Sequence, residues 1–90
     1  MNYLTTKDLI DKLTKITGKD LSDKVLQEIE FYDEYDAFYV QGKNFKEFNV
    51  FIPEFKNNPI IGYPYVIFAK NGIARLSTDE ESIEYLNNYS

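Results

Sequence analysis

Asn71 and Gly72 separate two runs rich in apolar residues, Tyr65–Lys70 and Ile73–Ser77. Asn-Gly is the dipeptide best suited to a two-residue β-hairpin turn, because both residues tolerate the left-handed backbone that such turns use. The two runs are therefore predicted to be antiparallel neighbours. Any fold for this chain has to contain their sheet. Earlier segments extend it: Ala37–Gln41 reads as a short strand and Gly42-Lys43-Asn44 as a turn. Glu47–Ile52 follows as a strand with Phe48, Val50 and Ile52 on one face. Pro53 is expected to stop that strand or place it at a sheet edge. The segment 56–62, with Asn57, Asn58 and Pro59, reads as a loop.

Helices are expected at both ends. Over 4–18, Thr5 can cap with Asp8 three residues on, Leu4 can staple against Leu9, and Leu9, Leu13 and Ile16 recur at helical spacing before Gly18. Over 78–89, Thr78 and Glu81 form a capping pattern ahead of Ile83 and Leu86. Leu13 and Ile16 are expected to share one face of the sheet with Ile83 or Leu86. The stretch 20–36 is ambiguous. Leu21, Val25, Leu26 and Ile29 suit a short helix, whereas Glu28-Ile29-Glu30-Phe31 alternates as a half-buried strand does. The reading favoured is a loop or helical turn to about residue 24, then a strand over 25–31 and an acidic connection, Asp33-Glu34-Tyr35-Asp36. The fold class is thus α+β in one domain, 1–90. It has an N-terminal helix, an antiparallel sheet of four to five strands and a C-terminal helix.

Composition narrows the chemistry. Ninety residues without a cysteine or histidine exclude a disulfide scaffold, a thiol nucleophile, Cys/His metal ligation and histidine acid–base catalysis. A chain of this size buries about 64% of its unfolded surface, enough for one modest core. The net charge of −5 disfavours bare nucleic acid and anionic membranes as partners. No apolar run approaches the ~20 residues of a membrane span, and the N-terminus lacks a basic segment followed by an apolar one. A cytoplasmic, non-enzymatic domain without cofactor is the expectation, with homodimerisation open.

The negative charge is concentrated. Glu28, Glu30, Asp33, Glu34 and Asp36 are interleaved with Phe31, Tyr32 and Tyr35. On a strand, alternate carboxylates stand about 6.6–7 Å apart on one face, close to the repeat of a phosphate backbone. Such a surface suits a protein partner with a basic groove, with Tyr32 and Tyr35 supplying contact area and cation–π faces for arginine. The plainer reading is a solvated acidic edge that discourages sheet-to-sheet pairing. Asp33, Glu34 and Asp36 also offer oxygen ligands, but the loop lacks the glycine and distant glutamate of a calcium hand, so no metal is expected. The eight tyrosines point the same way, since tyrosine is enriched at recognition surfaces.

The stretch Leu9-x-Asp11-x-Leu13-x-Lys15-x-Thr17-Gly18-Lys19-x-Leu21 resembles the first helix, and the turn leaving it, of the phage uracil-DNA glycosylase inhibitors. Val25-Leu26-Gln27-Glu28 is similar to the start of that family's acidic edge strand, and Asn49-Val50, Val66-Ile67 and Asn71-Gly72 to two of its strands and their hairpin. The resemblance implies a small inhibitor that mimics DNA in the groove of a nucleic-acid-handling enzyme, with Glu28 among the mimicking groups. A phage counter-defence protein fits that description. The ending Glu81-Ser82-Ile83-Glu84-Tyr85-Leu86 is similar to the last helix of the SMI1/KNR4-like immunity proteins, which implies neutralisation of a toxin. A structural or assembly subunit is the third reading.

Overall fold

The computed structural model describes residues 3–35, 37–55 and 63–89. Its first strand, β1 (Tyr3–Leu4), is two residues long and has no counterpart in the sequence reading. Thr5 ends it and caps α1 (Thr6–Thr17), its side chain accepting from the Asp8 N–H at 3.2 Å. Gly18 closes α1 at φ 73°, a left-handed conformation that glycine adopts without a Cβ penalty. Leu4 packs on the same apolar cluster as Leu9.

The strand expected over 25–31 is helix. Ser22 caps α2 (Asp23–Glu34), its hydroxyl accepting from the Val25 N–H at 3.3 Å, and Asp23 occupies the first turn. Leu21, Val25, Ile29 and Tyr32 recur at helical spacing and meet the cluster that α1 also covers. The alternation of Glu28 to Phe31 is too short to outweigh that stripe, and Phe31 is 51% exposed rather than buried. Tertiary burial therefore selects the helix.

Five antiparallel strands follow one another across the sheet in the order β1-β2-β3-β4-β5, with β2 at Ala37–Gln41, β3 at Asn49–Phe55, β4 at Ile67–Lys70 and β5 at Ile73–Leu76. The β4–β5 hairpin turns at Asn71-Gly72 as expected, with Gly72 alone of the pair at positive φ (84°). Its Gly72 N–H donates to the Thr17 carbonyl at 3.1 Å, tying the turn to the end of α1. β3 starts two residues later than expected and runs through Pro53. That proline lies beyond the β3–β4 ladder, which ends at Phe51–Ile67, so its missing N–H is tolerated as at an edge. The loop expected over 56–62 lies outside the described residues.

Successive residues of β3 and β4 bury on opposite faces. Phe51, Ile67 and Ala69 join Leu9, Leu13, Val25, Ile29 and Tyr39 beneath α1 and α2. Val50, Ile52, Val66 and Phe68 join Val40, Phe45 and Tyr85 beneath α3 (Asp79–Asn88). Two apolar clusters therefore replace the single core expected. Leu13 and Ile16 do not share a face with Leu86, and Ile83 is 45% exposed. The α3 anchor is Tyr85, whose hydroxyl donates to the Lys43 carbonyl at 2.7 Å. Gly42 makes room for it: a Cβ there would meet the Tyr85 hydroxyl and stand 2.9 Å from Ile52 Cδ1.

The β2–β3 connection turns at Lys46-Glu47, not at Gly42-Lys43-Asn44. Phe45 and Phe48 exchange both backbone hydrogen bonds, at 3.1 and 2.8 Å, around Lys46 (φ 48°) and Glu47 (φ 71°). Two positive φ values at the centre are the signature of the turn that Asn-Gly normally forms. Side-chain-bearing residues there cost roughly 1–2 kcal/mol each. Lys46→Asn with Glu47→Gly should therefore raise stability by about 1 kcal/mol or more in a denaturant melt. An unchanged or lower midpoint would contradict the turn geometry.

Candidate functional site

The acidic stretch becomes a site only through α2. A helix turns about 100° per residue, so Glu28 and Glu30, which a strand would align, stand about 200° apart around its axis. The seven residues singled out in the sequence consequently divide. Glu28 and Tyr32 are half-buried, Glu30, Asp33, Glu34 and Tyr35 are exposed, and Asp36 lies outside the described residues.

Glu28 lines a groove between α2 and β5, together with Phe31, Tyr65, Arg75 and Asp79. Its carboxylate has no hydrogen bond and no ion pair within 4 Å among the described residues. Burial pushes its pKa above the ordinary value of 4.5. A carboxyl with a raised folded pKa subtracts stability as pH rises through the window above its unfolded value. Glu28 thus opposes folding at neutral pH. Tyr32 packs its ring against Tyr39 and Phe55, with centroids 6.4 and 5.6 Å away. Burial first, then the nearby Glu28 charge, raises the Tyr32 and Tyr39 hydroxyls. The Tyr39 hydroxyl is buried without a partner among the described residues.

On the outward side, Asp23, Glu30 and Glu34 follow one face at i, i+7 and i+11. Asp23 lies outside the acidic stretch that the sequence singles out, in the segment expected to be a loop or helical turn. Asp33 is turned elsewhere. It accepts a 2.6 Å hydrogen bond from the Thr6 hydroxyl and so places its charge at the N-terminal end of α1, where the helix dipole favours it. It is a bracket between two helices rather than a member of the outward row. Phe31 and Tyr35, 51% and 59% exposed, meet one turn apart, their rings tilted at 51° with centroids 5.1 Å apart. Phe31 is a second residue outside the set singled out in the sequence; its place between Glu30 and Tyr32 was the available signal.

The far wall of the groove is held by Arg75. Its guanidinium makes two parallel bonds to Glu81, at 2.8 and 2.9 Å, and a third to the Leu76 carbonyl at 3.2 Å. The other side of the guanidinium plane lies among the rings of Phe48 and Phe68, each 5.1 Å away. Glu81 also accepts from the Thr78 N–H at 2.9 Å, completing the capping box of α3. The α3 carboxylates are thus partly structural: the Arg75 hydrogen bond, followed by the Thr78 backbone bond, holds the Glu81 carboxyl down at about 2. Among the described residues no group of three acidic side chains converges as a metal site, and no helix is long and apolar enough to cross a membrane.

A lowered folded pKa adds stability that is present above the unfolded value and lost as pH falls through the folded one. Glu81→Gln should cost about 1 kcal/mol at pH 7, given a half-exposed pair plus a cap. The gap to wild type should close as pH falls from about 4.5 to about 2. Parallel urea melts across that range test it; a gap independent of pH would contradict it. The chain matches no protein-family model, no curated protein and no solved structure, so its chemistry stands on these residues alone.

Proposed function

We propose that this protein is a small acidic inhibitor that docks α2 into the basic groove of a nucleic-acid-handling enzyme. The observation that supports this most is the placement of charge on α2. The helix carries five carboxylates to one lysine, none of its last-turn residues is basic, and Glu34 stands at the C-terminal end. Negative charge there is repelled by the helix dipole, and Glu30 and Glu34 repel each other at i, i+4. Charges that oppose folding are best explained by use in binding. Asp23, Glu30 and Glu34 form the acidic row, and exposed Phe31 and Tyr35 add aromatic contact beside it. Glu28 faces the groove beside β5 and Tyr32 packs against Tyr39 and Phe55, so neither belongs to that row. The row differs from the strand spacing first expected, yet it still offers carboxylates about one helical turn apart to arginine and lysine. The sequence resemblance to the uracil-DNA glycosylase inhibitors supplies the same strategy. A stoichiometric inhibitor of this kind needs no cofactor and no turnover.

The test is inhibition of uracil-DNA glycosylase and a panel of restriction endonucleases on a fluorescent DNA substrate. Inhibition of at least one enzyme is expected, competitive with DNA and weakened steeply by raising salt from 0.05 to about 0.5 M. Glu30→Gln with Glu34→Gln should abolish most of it while circular dichroism stays native, since losing a desolvated charge pair costs roughly 2–5 kcal/mol. Glu80→Gln with Glu84→Gln, on α3, should leave it intact. Full inhibition by the α2 variant contradicts the proposal. Loss with the α3 variant instead would favour the immunity-protein reading, which places the interface at the hairpin and last helix.

A further inference from the structure

The outer edge of β5 runs along a groove of about 800 Å³ whose opposite wall is α2. Register decides which backbone groups face it. The Ser77 N–H donates to the Val66 carbonyl at 2.8 Å, so Phe68–Arg75 and Lys70–Ile73, in phase with it, are the hydrogen-bonded pairs of the hairpin. In an antiparallel ladder the intervening residues direct their polar groups away from the partner strand. Ala74 and Leu76 therefore point N–H and C=O outward. Arg75 Nη1 takes the Leu76 carbonyl at 3.2 Å. No described residue takes the Ala74 N–H, the Ala74 carbonyl or the Leu76 N–H, and no described strand pairs on that side.

Three open groups at strand spacing match the donor and acceptor pattern of another extended backbone. The walls state the rest of its chemistry. Glu28 offers a half-buried carboxylate with no cation within 4 Å among the described residues, and Asp79 closes the far end beside Tyr65; of the two bases that also line the groove, Arg75 is committed to Glu81 and Lys24, one turn before Glu28, is exposed to solvent. Phe31 exposes a ring on the same wall. We infer that this groove accepts an extended basic peptide, which adds a sixth strand to β5 and sets a lysine or arginine against Glu28 and an apolar side chain against Phe31. A second copy of this chain is the wrong occupant on charge. Pairing β5 with its own copy would bring together two α2 walls, each with five carboxylates and one lysine. The inference does not depend on the inhibitor reading, because the open edge and the groove are independent of the outward row.

A heptapeptide of alternating lysine and valine is the probe, added to isotope-labelled full chain at 0.15 M salt. In the free protein the Ala74 and Leu76 amides should exchange rapidly while Arg75 and Ser77 are protected. Saturating peptide should slow both open amides by about tenfold or more. The same peptide N-methylated at alternate residues should bind about tenfold more weakly or worse, and so should a valine–glutamate version. Glu28→Gln should narrow the gap between the lysine and glutamate peptides. Equal binding of the N-methylated peptide overturns the inference, as does binding without protection of these two amides. Concentration-dependent protection in the free protein would overturn it too, by assigning the edge to a second copy. Loss of inhibition in the enzyme panel, with these results intact, would leave the inference standing.

Discussion

The sheet is apolar on both faces, and every other feature of the structure follows from covering it. Along β3, Val50 and Ile52 point one way and Phe51 the other; along β4, Phe68, with Val66 just before the strand, opposes Ile67 and Ala69. Such a sheet is stable only with helices on both sides. α1 and α2 close one face with Leu9, Leu13, Val25 and Ile29, and α3 closes the other through Tyr85. The all-antiparallel order keeps neighbours in sequence adjacent in space, which leaves β5 at one edge. Its ladder partner is β4 alone among the described strands.

Burying Val25 and Ile29 fixes the rotation of α2 and with it the direction of every carboxylate on that helix. One side turns Glu28 into the groove beside β5, where burial raises its pKa. Another side gives Asp33 to Thr6. The outward side holds Asp23, Glu30 and Glu34 in solvent. The Asp33 contact and the place of Asp23 in the first turn favour the fold; Glu28, Glu30 and Glu34 do not. The contrast with α3 is instructive: three of its four acids lie in the first turn, where the dipole welcomes them, and Glu81 is clasped by Arg75. Equal acidity on two helices therefore has opposite energetic consequences.

The elements whose signals are local were legible in the sequence. Thr5 and Gly18 bound α1, Thr78 and Glu81 open α3, and Asn71-Gly72 turns the last hairpin, each through a cap or turn that its own residues supply. Ala37–Gln41 was placed to the residue. The misreadings concern information carried by contacts between residues rather than by the residues of the element alone. Four alternating residues suggested a strand at 28–31, whereas the stripe from Leu21 to Tyr32 needs the α1-covered cluster to be decisive. Lys46 and Glu47 contain no hint of left-handed backbone, and the facing pair Phe45–Phe48 imposes it. That Tyr85 rather than Ile83 anchors α3 depends on the gap left at Gly42. The acidic segment was legible in composition but its shape was not, since its members share a segment and not a face.

The view that the outward charges of α2 serve binding rather than folding is tested most directly by their effect on stability alone. Glu30→Gln with Glu34→Gln should raise the free energy of unfolding by about 0.3–1 kcal/mol at low ionic strength, from relief of dipole and like-charge repulsion. In about 1 M salt the gain should vanish. Urea denaturation of both proteins at the two salt concentrations gives the answer. A loss of stability at low salt would show that these carboxylates hold the fold together, and would contradict their assignment to a partner.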